Sequence, residues 1–277
     1  MSPQPRALES LLAFWTACGV DTLLADAPVD RTVVLARATA APPSPQPVPR
    51  AAGVRAPVTP ASAVAPDPGA VDPEALAEAR RVAAAAPDLA ALKEAITAFD
   101  GCALKAGARQ AVFSRGPPDA PLMIIGEAPG GDEDLQGAPF VGRAGQLLDR
   151  MLAAAGLADR AFITNTVFWR PPGNRTPIPA EQALCAPFLE RAIALVRPRA
   201  LLLVGGASAK AMLKREEGIL TLRGRWLEWR SSSGELELPA MPTLHPAFLL
   251  RQPAAKKKAW EDLMTLTERL DRPRRPS

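Results

Sequence analysis

The sequence predicts an α/β fold, a mostly parallel sheet with helices on both faces. Leu122–Gly126 and Ala200–Val204 are short continuous apolar runs, the pattern of strands covered on both sides. Helical stretches alternate with such runs, which implies crossover connections and parallel pairing. The unusual motifs of the chain follow the ends of strands, where ligands of open α/β sheets sit.

Taken in order, Ala7–Cys18 reads as a helix, with Leu8, Leu11, Leu12, Phe14 and Trp15 forming an apolar stripe. From about residue 38 to 72 the chain is Ala, Pro, Val and Ser without periodicity, an extended spacer. A helical stretch over Pro73–Phe99 leads into the main domain. There the expected elements are the strand Leu122–Gly126, a helix from about Gly142 to Ala155, the strand Ala161–Val167 and the helix Pro179–Val196. The strand Arg199–Gly205, the helix Ala207–Lys214, a β excursion around Arg223–Leu238, a last strand near Ala240–Leu244 and the helix Pro253–Leu270 complete the list. The expected organisation is an N-terminal helical segment (1–37), a disordered linker (38–72) and one catalytic domain (73–277, core about 100–270).

With 48% hydrophobic residues in 277, the chain has material for a core and is not wholly disordered. A formal charge of +4 and a pI near 9.2 tilt towards a polyanionic partner. Cys18, Cys102 and Cys185 are too few and too odd for a disulfide framework and fit a reducing cytoplasm. Leu11–Val20 followed by Ala25-Asp26-Ala27 imitates a signal peptide, but an amphipathic helix explains the segment equally well. No apolar run reaches the roughly 20 residues that span a bilayer, so a soluble, cytoplasmic protein without membrane contact is expected.

After the first strand comes Gly126-Glu127-Ala128-Pro129-Gly130-Gly131-Asp132-Glu133-Asp134. Its glycines permit close backbone approach to a ligand, and its acids can orient a water or stabilise a cationic transition state. A solvated acidic turn is the alternative. Phe140 lies in a Gly/Pro-rich loop, where an aromatic can stack on a flat base or merely plug the core. The second strand ends in Thr164-Asn165-Thr166, and an Asn offers a donor and an acceptor together to an imide edge, unless it only caps a turn. Arg170 and Arg175, in Arg-Pro-Pro-Gly-Asn-Arg-Thr-Pro, suit phosphate contacts. His245, the only histidine, sits at a strand end against Pro246. Lys256-Lys257-Lys258 is a DNA-facing patch or a solvated helix face.

Together, Gly126–Gly130 with Pro139–Asp149, Thr164-Asn165 with Arg170–Pro177, and His245–Arg251 resemble the family 4 uracil-DNA glycosylases, over about Cys102 to Leu263. The resemblance implies a three-layer α/β/α sandwich around a four-stranded parallel sheet. It implies hydrolysis of uracil from single- or double-stranded DNA, opening base-excision repair, by a monomer. Glu127 and Glu133 would be the acidic contributors, with Gly126 and Ala128 beside the uracil. Phe140 would stack on the flipped base, Asn165 would read its edge, and His245 would hydrogen-bond its O2. Arg170 and Arg175 would contact phosphates. The segment Pro246–Arg251, with Ala247, Phe248, Leu249 and Arg251, would be a loop entering the minor groove.

The same family usually holds a [4Fe–4S] cluster on four cysteines. Here Cys102 and Cys185 stand at two of those positions, and Lys105 and Trp169 at the others. Such a cluster needs four thiolates, so the expectation is that it is lost and no cofactor is used. Two other classes of function compete with the enzyme. One is a DNA-binding relative that recognises uracil or abasic sites, or traps its product, without turnover. The other is an interaction module, with the N-terminal segment docking a replication or repair protein.

Overall fold

The computed structural model describes residues 71–272. The helix expected over Ala7–Cys18 and the linker as far as residue 70 lie outside the described residues.

Where one helical stretch was expected over Pro73–Phe99 there are two helices, α1 (Pro73–Ala85) and α2 (Leu89–Ala98). Pro87 is the cause, because a residue before proline avoids the α region, and Ala86 is extended. Asp72 and Asp88 cap the helices by accepting from the amides of Glu74 and Ala91. The Arg191 guanidinium donates twice to the Ala86 carbonyl, tying this junction to the helix that carries Arg191.

A single-turn α3 (Leu104–Gly107) follows, then β1 (Leu122–Gly126), α4 (Gly131–Gln136), α5 (Arg143–Ala154) and β2 (Ala161–Asn165). Next come α6 (Pro179–Val196), β3 (Ala200–Val204), α7 (Gly206–Leu213) and α8 (Ile219–Leu222). The chain closes with β4 (Leu227–Arg230), β5 (Glu237–Thr243), α9 (Pro246–Arg251) and α10 (Lys256–Asp271).

The sheet order is β2-β1-β3-β5-β4. The first four strands are parallel, as expected. A fifth, β4, pairs antiparallel with β5 at the edge and was foreseen only as an excursion. Alternate residues of the buried strands serve two layers. Met123, Ile125, Phe162, Leu201 and Leu203 pack under α1, α2 and α6, with Phe188 and Ile193 among their neighbours. Leu122, Ile124, Ile163, Leu202 and Val204 pack against Leu148 and Leu152 of α5 and Leu263 and Leu266 of α10. This two-sided burial is why the strands read as continuous apolar runs, and it makes the domain an α/β/α sandwich.

Adjacent strands β1 and β3 send their following helices to opposite layers, α5 to one and α7 to the other. That is a topological switch point, and it opens a crevice beyond the carboxyl ends of the strands. On the far side, Asp262 of α10 is buried and accepts from Thr243 Oγ1 (2.7 Å) and from the Arg223 guanidinium. Burial raises the pKa of Asp262, while Thr243 and Arg223 hold it down. This network anchors the end of β5 two residues before His245.

Candidate active site

The crevice is a cleft of about 630 Å³ lined by Glu127, Ala128, Glu133, Phe140, Asn165, His245, Ala247, Phe248 and Arg251, among others. Strand register builds its floor. Gly126 of β1 pairs with Asn165 of β2, and a Cβ on Gly126 would collide with the Asn165 amide and the Phe140 ring. Glycine is needed there because two functional side chains occupy the space. Thr166 fastens the two strand ends, donating its amide to Gly126 O (3.0 Å) and its hydroxyl to Glu127 O (2.6 Å).

Asn165 is 1% exposed, and its Oδ1 is the one buried side-chain polar atom among the described residues without a hydrogen-bond partner. An unmet acceptor in a buried site is costly, and a ligand N–H would relieve that cost. Phe140 adopts a left-handed backbone, φ 56°, uncommon for a bulky residue. The conformation is held from both ends: Gly145 leaves no room for a Cβ under the Phe140 carbonyl, and Arg115 donates to the Pro139 and Phe140 carbonyls.

The Phe140 and His245 rings stack with centroids 5.8 Å apart and planes 30° from parallel. His245 is the N-cap of α9, and its Nδ1 accepts from the Ala247 amide at 3.1 Å. That bond fixes the tautomer, so in the neutral ring Nε2 carries the proton and is a donor. Burial, with the Arg251 charge adding to it against an opposing pull from Glu133, lowers the His245 pKa from 6.5 to about 4. Gly205 (φ +95°) lies behind the ring, where a Cβ would come within 3.1 Å of the His245 Cβ.

The pH dependence follows from this environment. The unfolded chain takes up a proton on His245 near 6.5, whereas the folded chain does so only near 4. The stability this group contributes is therefore complete above 6.5 and declines as pH falls from 6.5 to 4. Protonation also turns Nδ1 into a donor and breaks its bond to Ala247. The acid limb of kcat/KM should accordingly lie near pH 4. A pH–rate profile, with a melting curve at each pH to separate unfolding, checks this; an acid limb at 6.5 would contradict it.

The acids divide. No hydrogen bond or ion pair from a described residue engages the Glu127 carboxylate, which stands at the cleft wall. Glu133 is instead occupied by backbone amides, accepting from Val141 and Gly142 on Oε1 (both 2.9 Å) and from Gly130 on Oε2 (3.1 Å). It lashes the loop after β1 to the loop that carries Phe140, while also lining the cleft.

Arg175 lines the cleft, and the buried carboxylate of Glu181 binds its guanidinium bidentately, at 2.9 and 2.5 Å, which fixes its loop on α6. Two expectations change. Pro246–Arg251 is a short helix, not a loop: Pro246 at its first turn and the His245 cap start it. Leu249, expected in the minor groove, is fully buried with Leu147, Leu244 and Ala259. Phe248 and Arg251 do reach the cleft, and Arg170 Nε donates to Asn174 Oδ1 at 2.7 Å. Sequence reasoning missed Gly205, though it too directly follows a strand.

At the positions matched to the family's cluster ligands, Lys105 pairs with Asp100 and donates to Thr97 O, both at 2.6 Å. Trp169 is 1% exposed in the core that also holds Cys102, Cys185 and Phe188. Burial pushes the Cys185 thiol well above its ordinary range, and the neighbouring Cys102 adds to that shift. Among the described residues no group of three or more His, Cys, Asp or Glu could hold a metal ion. The residues present do not fit a four-thiolate cluster.

The fold and cleft define an α/β protein with a site at a sheet switch point, its floor offering an unpartnered buried acceptor beside an aromatic ring. A family model of the uracil DNA glycosylase superfamily matches residues 113–264. The type-4 uracil-DNA glycosylase of Pyrobaculum aerophilum is 40% identical over 181 residues, 64% of this chain and 91% of the relative. Those of Sulfurisphaera tokodaii (37% over 190 residues; 66% and 86%) and Thermotoga maritima (34% over 162; 58% and 82%) are also similar. The chain belongs to the uracil-DNA glycosylase superfamily, in its type-4 branch.

Proposed function

We propose that this protein is a DNA glycosylase that hydrolyses the N-glycosidic bond of uracil in DNA, the first step of base-excision repair. The observation that carries the reading is the unpartnered Asn165 Oδ1 in the cleft, beside Phe140 and a neutral His245. Uracil presents an N3–H donor to that acceptor and an O4 to the amide N–H. Cytosine presents the reverse pattern and leaves Oδ1 facing a lone pair.

A base within a duplex is out of reach, so the nucleotide is first flipped out, at a cost of a few kcal/mol. Phe140 then stacks on the base, with Gly126 and Ala128 allowing close approach. Breaking the C1′–N1 bond leaves its electron pair on uracil and positive charge on the sugar. His245 Nε2–H donates to O2 as the anion forms, and the Glu127 carboxylate faces the cation and the incoming water. The water adds to C1′ and releases its proton by way of Glu127. Arg251 takes a phosphate at the rim, with Arg170 contributing from the loop that carries Asn174, and Ala247 and Phe248 border the gap left in the stack.

The iron–sulfur cluster implied by the family is lost in this reading, replaced by the Trp169 packing and the Lys105–Asp100 pair. The reading also takes the protein as a cytoplasmic monomer whose residues 1–72 recruit a replication or repair protein. Among the described residues no helix is long and apolar enough to cross a membrane.

The test is release of uracil from U:G and single-stranded oligonucleotides, read as alkali-cleaved strands. Activity is expected to be undiminished by excess EDTA. Chelator inhibition reversed by zinc or magnesium would refute the mechanism, and intact strands with purified protein would refute the function.

A further inference from the structure

One face of α10 is unused by the core. Ala259, Leu263, Leu266 and Leu270 are buried, while Trp260 and Met264, which flank that stripe, are 40% and 37% exposed. Trp260, Lys256, Lys257 and Met151 of α5 enclose a hollow of about 320 Å³. The carboxylates that follow Trp260 on the helix, Glu261 and Asp262, are turned to Arg223. No carboxylate among the described residues pairs with Lys256 or Lys257, so the rim is two free ammonium groups around an aromatic floor.

The hollow lies close along the chain to the cleft's rim. Arg251 lines the cleft, and the single turn Pro253–Ala255 separates its helix from Lys256. Along α5, Ala144 at the cleft and Met151 at the hollow are two turns apart, about 10 Å, a span of a few nucleotides.

We propose that this hollow is a subsite for the DNA strand flanking the target nucleotide, holding one unpaired base on Trp260 with Lys256 and Lys257 on its phosphates. The proposal rests on the glycosylase reading. Stacking on an aromatic face serves any base, and ammonium groups serve any phosphate, so the subsite is indifferent to sequence. It is not indifferent to pairing, because a base held in a duplex cannot lay its face on Trp260. The subsite therefore favours single-stranded substrate and acts on one side of the uracil only.

The experiment compares a short single-stranded uracil core with the same core extended by thymidines on either side. For the unaltered protein, KM should fall on extension at one side only. Trp260→Ala should raise KM for that extended substrate by about tenfold, with kcat and the short core unchanged, while Trp260→Phe retains most of the effect. Replacing Lys256 and Lys257 by Gln should flatten the slope of log affinity against log salt by about 0.7 each. An extension effect identical in Trp260→Ala, as expected if the patch docks a protein instead, would overturn the proposal. Binding of a uracil-free single strand, read by fluorescence anisotropy, keeps the two readings apart. Weakening by Trp260→Ala supports the subsite even if no uracil is released, in which case the glycosylase reading alone fails. Equal binding by both proteins overturns the subsite whatever the excision assay shows.

Discussion

Asn165→Asp should lose uracil excision by about four orders of magnitude while remaining folded at neutral pH. The side chain is 1% exposed on the cleft floor, with its Oδ1 unpartnered. The substitution keeps the acceptor in place and replaces the N–H donor by a second oxygen. Ionised, the introduced carboxylate would be a buried charge with no cation beside it, so its pKa would rise and it would bind a proton. A carboxyl then presents one O–H in an orientation set by its own environment, while the uracil O4 loses a fixed donor. Discrimination of this size is available because a buried polar group left without its partner cannot turn to water. Alkali cleavage of a uracil oligonucleotide under single-turnover conditions measures the loss. Excision at the unaltered rate would make Asn165 a strand-end residue and remove the main support for base reading.

Much of this site was legible because it obeys a rule that operates at the level of single strands. Residues after an apolar run are candidates in a parallel sheet, and Gly126, Asn165 and His245 all satisfy that rule. The strands themselves were visible since burial on both faces demands unbroken apolar sequence. What escaped was whatever depends on contacts between loops. Nothing in the local sequence says that Glu133 reaches the amides of Val141 and Gly142, or that Arg175 closes on Glu181, so neither anchoring contact was foreseen.

Short elements were also hard. Pro246–Arg251 is too brief for an apolar period to declare itself, although a proline just after a capping side chain was a usable sign. The break between α1 and α2 carried a clearer signal, Ala86-Pro87-Asp88, which combines a helix stop with a new cap. Similarly, Leu227-Glu228-Trp229-Arg230 has the alternation of a half-exposed strand, with only Trp229 fully buried. Leu249 misled for a different reason. Its neighbours line the cleft, but one position along a helix turns a side chain by about 100°, and Leu249 faces the core.

Trp169→Ala should destabilise the protein by about 3–5 kcal/mol, the range for truncating a large buried aromatic. Trp169 meets Phe168 edge-on, with centroids 6.3 Å apart, and Phe168 in turn meets Phe188 of α6. Its ring thus belongs to the core shared by the Cys102 segment and α6, the region that a cluster would bridge in a four-cysteine relative. Lys105 cannot supply what is missing, because its ammonium is held by Asp100, and the Trp169 indole N–H has no lone pair to offer iron. If apolar packing has replaced coordination, the loss on truncation is a cavity beside Cys102 and Cys185, and added iron and sulfide will not repair it. The unaltered protein, purified anaerobically, should be colourless at about 400 nm and without stoichiometric iron. Chemical denaturation of the two proteins gives the stability difference. A brown preparation with about four irons per chain, or a Trp169→Ala protein as stable as its parent, would show that coordination, not the indole, holds this region together.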